Sequence, residues 1–166
     1  PLTETTPKAL VEVGGRPIID HAIETMVASG ITELIVNLHH LGDLIAEHIG
    51  DGSRYGARVS YSREEPLLGS GGGIGYARGM LGQGLCVTLN ADTIIDIDLG
   101  ALVAAHRKNN AAATLVVRKD PEMESYGLVS LCPDGRIGRF LDTALPGCDC
   151  VLSHFMFAGV QVLGPA

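Results

Sequence analysis

The sequence predicts an α/β domain built on a mostly parallel sheet with a late antiparallel portion, and three observations predict it. Helical and strand-like patterns alternate through the first two thirds of the chain, the order that yields a parallel sheet with covering helices. Two short runs, Glu33–Leu38 (ELIVNL) and Leu85–Leu89 (LCVTL), are almost continuously apolar or β-branched, as strands buried on both faces are. A hairpin signal, Pro133-Asp134-Gly135, stands between two strand-like runs only after residue 126, so antiparallel pairing enters late.

Composition supports one globular domain. The 166 residues suffice for a real core, and 46% hydrophobic against 19% charged is the balance of a folded chain rather than a disordered one. Aromatics are 4% and Trp is absent, so the core rests on Leu, Ile, Val and Ala. No apolar run approaches the roughly 18 residues of a membrane span, and no membrane partner is expected. The net charge is −7, and no basic stripe is available to neutralise phosphates, which argues against nucleic acid. A small phosphorylated ligand is still allowed, because a Lys, backbone amides or a metal can supply a local positive field. The cysteines are Cys86, Cys132, Cys148 and Cys150. Cys86 sits in a predicted strand, and Cys148/Cys150 form a C-x-C with no second pair to complete a zinc site. Free thiols in a reducing cytoplasm are the expectation. The opening Pro1-Leu-Thr-Glu-Thr-Thr-Pro-Lys8 is neither a signal peptide nor an initiation site, and the chain reads as truncated.

Taken in order, Ala9–Val13 is a short apolar alternation closed by Gly14-Gly15. Pro17 suits a first helical turn, and Ile18, Ile19, Ala22, Ile23, Met26 and Val27 recur at helical spacing up to Gly30. The strand Glu33–Leu38 follows, then a helix Asp43–Ile49 ended by Gly50, the turn Asp51-Gly52-Ser53, and a strand Ala57–Tyr61. A glycine-rich stretch, Gly69-Ser70-Gly71-Gly72-Gly73, runs into a helix through Met80. The strand from Leu85 ends at Asn90-Ala91-Asp92. Asp98 is the predicted N-cap of a helix Leu99–Lys108. Strands are expected over Ala112–Arg118, Gly127–Leu131, Arg136–Phe140 and Ser153–Leu163. No linker or repeat divides residues 1–166, which are read as one domain.

Four stretches carry groups that do chemistry. Asn90 and Asp92 close a buried strand, and ligands of open α/β sheets bind beyond the carboxyl ends of strands. A carboxylate there suits Mg²⁺ carrying phosphate oxygens, although an Asn/Asp turn can equally be only a turn. Lys8 follows Pro7 and offers a compact charge for phosphate, where the plain alternative is a solvated surface lysine. Gly69–Gly73 precede a helix, permitting close approach of an anion or a stacked base; they match neither the dinucleotide fingerprint nor a Walker A loop. Tyr126-Gly127 and Asp142 stand on late strands near the same sheet edge. The histidines complete no metal-ligand spacing, and no Ser/His/Asp order or G-x-S-x-G elbow points to a nucleophilic hydrolase.

These residues together resemble a known family. Pro1-Leu-Thr-Glu-Thr-Thr-Pro-Lys8 followed by Val13-Gly-Gly-Arg-Pro17 is similar to the opening of sugar-1-phosphate nucleotidylyltransferases. In order, Glu65-Pro-Leu-Leu-Gly-Ser-Gly-Gly-Gly73, Asn90-Ala-Asp92, Asp96-Ile-Asp-Leu99, Tyr126-Gly127 and Asp134-Gly-Arg-Ile137 extend the resemblance along nearly the whole chain. Ile49-Gly-Asp-Gly-Ser-Arg-Tyr-Gly56 and Phe157-Ala-Gly-Val160 lean toward the mannose-1-phosphate guanylyltransferases and the N-acetylmuramate-1-phosphate uridylyltransferase.

The resemblance implies a Rossmann-like three-layer α/β/α nucleotide-diphospho-sugar transferase fold and a Mg²⁺-dependent reaction. An NTP and a sugar 1-phosphate would give an NDP-sugar and pyrophosphate, in the cytoplasm, for cell-envelope polysaccharide; a homo-oligomer is compatible with it. Carried over by position, Lys8 holds phosphate and Asp92 ligates the metal. Ser70, Gly71 and Gly72 face the nucleotide, and Asn90, Gly127 and Asp142 face the sugar. Asp142 stands where the family has Glu in E-K-P, and Ala91 where it has Gly. The family's first strand with its G-x-G-T-R phosphate loop would precede Pro1, and its second metal-binding Asp would follow Ala166. The fragment by itself is therefore expected to be inactive. Two other readings share parts of the pattern: a non-catalytic NDP-sugar-binding regulatory subunit, and a cytidylyltransferase acting on an alcohol phosphate.

Overall fold

Local signals set the first half of the chain. In a computed structural model, residues 5–66, 68–123, 125, 127–147 and 152–165 are described, Ser70 through its backbone alone. Pro7 opens a 3-10 turn over Lys8–Leu10, closed by Leu10 N–H donating to the Pro7 carbonyl at 2.8 Å. The short antiparallel pair β1 (Glu12–Val13) and β2 (Arg16–Pro17) leads into helix α1 (Ile18–Ala28). The predicted apolar stripe of α1 buries Ile19, Ala22, Ile23 and Met26. Its end is a Schellman motif: Ile31 N–H donates to the Met26 carbonyl and Gly30 N–H to the Val27 carbonyl, with Gly30 at φ 80°.

Strand β3 (Glu33–Leu38) pairs in parallel with β4 (Arg58–Arg63) in a straight register, Glu33 opposite Arg58 and Leu38 opposite Arg63. Helix α2 (Gly42–Ile49) covers them, and Ile45 and Ile49 join Ile19, Ile23, Leu38 and Val59 in one apolar cluster. The turn after α2 requires glycine at position 52, where φ is 88° and a Cβ would stand 2.5 Å from Val59 Cγ2.

Helix α3 (Gly69–Tyr76) continues as a 3-10 turn, Ala77–Gly79, and strand β5 spans Cys86–Leu89. Helix α4 (Leu99–Lys108) starts where the sequence placed it, with Asp98 Oδ1 accepting from Ala101 N–H at 2.9 Å. The remaining strands are β6 (Ala113–Arg118), β7 (Leu128–Leu131), β8 (Ile137–Phe140), β9 (Thr143–Ala144) and β10 (Ser153–Leu163). They form, with β5, a six-stranded sheet in the order β5-β10-β7-β8-β9, with β6 also pairing β10. Every pairing in it is antiparallel. The fold is thus α/β, with its parallel part in β3–β4 and its antiparallel part built around β10. No helix among the described residues is long and apolar enough to cross a membrane.

Two expectations are corrected here. The sheet is not mostly parallel: among the described residues β3–β4 is the one parallel pair, and β5 joins the larger antiparallel sheet because β10 runs back alongside it. Cys132 is disulfide-bonded rather than a free thiol; Cys86 is free, and Cys148 and Cys150 lie outside the described residues. Ser153 stands opposite Leu131, so β10 begins alongside the end of β7 that carries Cys132. The sequence-based reading judged thiol state from compartment and had no access to that register.

A cavity of about 670 Å³ separates β3 from β5. Among the described residues β3 pairs only β4, and β5 only β10, so each strand has one edge without a partner. Residues of both strands line the cavity, and α1 (Ile23, Met26) and the α3 region (Ile74, Met80) supply its apolar walls.

Candidate functional site

The carboxyl end of β5 is fixed to the centre of the large sheet. Asn90 N–H donates to the Gly159 carbonyl at 2.8 Å, and Thr93 N–H to the Asn90 carbonyl at 3.2 Å. Gly159 has φ 80°, and a Cβ on it would lie 3.0 Å from Asn90 Nδ2, so glycine lets the Asn90 side chain lie against β10. Asp92 follows in the same turn and is exposed.

Gly127 reaches the same strand. Its carbonyl accepts from Phe157 N–H at 3.1 Å, two residues along β10 from the contact with Asn90. Leu141 N–H donates to the Leu128 carbonyl at 2.9 Å, so Asp142 sits beside Gly127 at one end of the β7–β8 ladder. The Asp142 carboxylate projects into solvent, 3.9 Å from the Arg139 guanidinium. Asn90 and Gly127 are therefore brought together through β10, and Asp142 through β8. Tyr126 lies outside the described residues.

The glycine-rich stretch is itself the start of α3, not a loop before it. Ser70 and Gly71 are in its first turn, and a Cβ on Gly71 would meet nothing within 4 Å, which leaves that side open to a ligand. Gly73 is the opposite case: a Cβ there would collide with Glu64 Oε1 and stand 2.9 Å from Asn37 Nδ2. Gly73, Asn37, Asn90 and Ala91 all line the cavity between β3 and β5, so this helix and the end of β5 face one space. Lys8 is exposed on its 3-10 turn and does not line that cavity. Its neighbour Ala9 belongs to the same apolar cluster against which Ala91 packs, so Lys8 and Asp92 flank one patch of core.

Asp92 meets one test for a metal ligand and shows its limit. Among the described residues no three His, Cys, Asp or Glu side chains stand close enough to hold an ion. Mg²⁺ is commonly held by one or two carboxylates together with substrate phosphates. A single hard carboxylate at the end of a strand fits that mode and no closed protein cage.

Glu64 and Asn37 were missed by the sequence reading. The only available signal was a doubled acid, Glu64-Glu65, before Pro66 at a strand end. The other marked electrostatic cluster lies away from the crevice. Asp20 on α1 is 8% exposed and accepts from Tyr55 O–H at 2.6 Å and His48 Nε2 at 2.7 Å. Burial works to raise its carboxyl pKa, but the hydrogen bonds from Tyr55 and His48 and the charge of Arg54 outweigh it and hold the group below its ordinary value.

The ends of β3 and β5 and the glycine-rich helix α3 converge on one cavity, which is where open α/β sheets that bind small ligands hold them. The chain belongs to the nucleotidyl transferase family, whose profile matches residues 1–142. A mannose-1-phosphate guanyltransferase from Aspergillus fumigatus is 32% identical over 171 residues, covering 100% of this chain and 46% of that protein. A UTP–glucose-1-phosphate uridylyltransferase from Synechocystis is 28% identical, covering 99% and 45%. Among solved structures, the UDP-glucose pyrophosphorylase of Acinetobacter baumannii superposes with a TM-score of 0.77 at 18% identity, covering 99% of this chain and 69% of its own. That likeness identifies the fold as the Rossmann-like one of the nucleotidyltransferases. The chain spans about half the length of the curated relatives it matches.

Proposed function

We propose that the protein carrying this chain makes an NDP-sugar from a nucleoside triphosphate and a sugar 1-phosphate, with release of pyrophosphate. The observation that carries the proposal is the shared cavity of Gly73 and Asn90–Ala91 in a chain of this family. A phosphate oxygen of the sugar 1-phosphate attacks the α-phosphorus of the triphosphate. The bond from that phosphorus to the bridging oxygen breaks, and pyrophosphate leaves with the electron pair. No covalent enzyme intermediate is needed, so the work of the protein is positioning and charge neutralisation.

In this reading Lys8 binds phosphate, and Ser70, Gly71 and Gly72 receive the nucleotide at the open side of α3. Asn90, Gly127 and Asp142 face the sugar, a grouping supported by their convergence through β10 and β8. Asp92 would ligate Mg²⁺, which when bound neutralises phosphate charge. The names of the relatives favour GTP with mannose 1-phosphate or UTP with glucose 1-phosphate, and the sequence motifs add UTP with an amino-sugar 1-phosphate. The reaction belongs to the cytoplasm, where nucleoside triphosphates are available, and its product would feed cell-envelope polysaccharide.

The slot between β3 and β5 supports a second part of the proposal, that these residues are part of a domain. A further strand of the longer protein would fill it, pairing with the free edges of both strands and packing against α1 and α3. Its following loop would then arrive beside Asn90 at the end of β5, where phosphate would be held.

Pyrophosphate release from the full-length protein tests the function, using Mg²⁺, each NTP or dTTP in turn and a panel of sugar 1-phosphates. Release requiring one nucleotide and one sugar phosphate together is the expected result. Silence across the panel, with NDP-sugar still bound tightly, would replace the enzyme with a regulatory NDP-sugar-binding subunit.

A further inference from the structure

Glu64 is 1% exposed, and no cation pairs with it among the described residues. A buried carboxylate without a cation must be satisfied by hydrogen-bond donors. Two supply it: Asn37 Nδ2 donates to Oε1 at 2.6 Å, and Leu68 N–H donates to Oε2 at 2.9 Å. Its main chain is held as well. Glu64 N–H donates to the Leu38 carbonyl at 2.9 Å, and its own carbonyl accepts from His39 Nδ1 at 3.0 Å. Asn37, Leu38 and His39 at the end of β3 therefore grip Glu64, and Glu64 grips the residue that precedes α3.

Helix α3 needs such a grip. Its sequence GSGGGIGY holds five glycines in eight residues, each about 1 kcal/mol less favourable than alanine in a helix. Local propensity cannot keep it formed, so the tertiary contacts must. The carboxylate also places a negative charge at the amino end of α3, where the helix dipole would otherwise attract an anion.

We propose that Glu64, pinned by Asn37, is a positioning residue for the nucleotide. It holds the start of α3 in the shape that leaves Gly71 open to a neutral base. By filling the helix N-terminus with its own charge, it directs the triphosphate away from α3 and toward the end of β5. This rests on the nucleotidyl-transfer reading above.

Reversing the polarity of the Glu64–Asn37 pair tests it in the full-length protein. Asn37→Asp sets two carboxylates against each other. It should raise the KM for the nucleotide about tenfold or more while moving the KM for the sugar 1-phosphate by less than about threefold. Adding Glu64→Gln leaves a single negative charge beside Gly73, now at position 37, and lets the new amide donate to that carboxylate while its carbonyl still accepts from Leu68 N–H. The double variant should return the nucleotide KM to within about threefold of wild type. If Asn37→Asp alone fails to fold, the double variant must restore both the fold and the KM. An unchanged nucleotide KM in Asn37→Asp, an equal rise in both KM values, or a double variant no better than the single one overturns the proposal. Hydrogen exchange at the Leu68 amide reads the contact without turnover. Protection in the wild type that Asn37→Asp removes upholds the strut even if the protein makes no NDP-sugar. A Leu68 amide unprotected in the wild type refutes it whatever the activity.

Discussion

Replacing Asp20 should destabilise the protein in a way that depends on pH with a defined sign. Its Oδ1 collects Tyr55 O–H and His48 Nε2 within 2.7 Å, and an Arg54 nitrogen stands 3.6 Å away. Arg54 also hydrogen-bonds the Tyr55 hydroxyl and lies over its ring, 4.5 Å from the centroid. Three elements, α1, α2 and the 3-10 turn Ser53–Tyr55, meet on this one carboxylate. Asp20→Ala would leave a partly buried hydroxyl and an imidazole without their acceptor, and two such losses amount to about 2–4 kcal/mol. Asp20→Asn keeps the shape and one acceptor oxygen but loses the charge, costing about 1–2 kcal/mol. Because the folded carboxyl pKa is depressed below its ordinary 3.8, the charge contributes stability above that value. The contribution is lost as pH falls through the folded pKa. Urea unfolding of the full-length protein, with m checked for constancy, measures both variants at pH 7 and in steps to about pH 3. The gap between wild type and Asp20→Asn should narrow over the acidic steps. A gap that stays constant with pH, or an Asp20→Ala cost under about 0.5 kcal/mol, would refute the account.

Other consequences are direct. Tyr55 runs opposite to Asp20: burial and then the Asp20 hydrogen bond push its phenol up to about 12. Its contribution is complete below the ordinary tyrosine pKa of 10.0 and is lost as pH rises toward about 12. A spectrophotometric titration in which Tyr55→Phe fails to remove the most alkaline step would contradict this. Asp98→Ala deletes the α4 N-cap and should cost about 1 kcal/mol by the same unfolding assay, and no change would mean the cap is idle. Asp92→Ala should abolish Mg²⁺-dependent pyrophosphate release, and an unchanged rate would end its assignment as a metal ligand. Lys8→Ala should lower kcat/KM by orders of magnitude, while a loss below about threefold would remove its phosphate role. Burial raises the Cys86 thiol pKa, so iodoacetamide should label Cys86 slowly in the native protein and quickly after unfolding. Equal rates would show the thiol to be accessible.

Much of the secondary structure was legible because its causes are local. The α1 stripe, the β3 run, the Asp98 cap and the full extent of β10 were all readable, since periodicity and capping act within a few residues. Several sequence-based boundaries differ from the structure by a residue or two, as at α2 and β4, because end residues are decided by neighbours outside the element. The family motifs were legible too, and they selected Asn90, Asp92, Gly127 and Asp142 before any contact was known. The glycine-rich stretch was only half read. Its glycines look like a loop by propensity, yet they form α3 because Glu64 and the core of the domain hold them there.

By itself, then, the sequence determined the order of the longer elements, the ends of all of these but α3 to within a residue or two, and the family. These follow from side-chain size, branching and hydrogen bonding to the nearby backbone. Tertiary structure alone decided that β5, β6 and β7 all pair with β10, that Cys132 forms a disulfide, and that Asn37 meets Glu64 beneath Gly73. Each of these joins residues more than a dozen positions apart. Their pairing is set by register and by the demand that buried polar groups find partners, and no short window of sequence contains both halves of that condition.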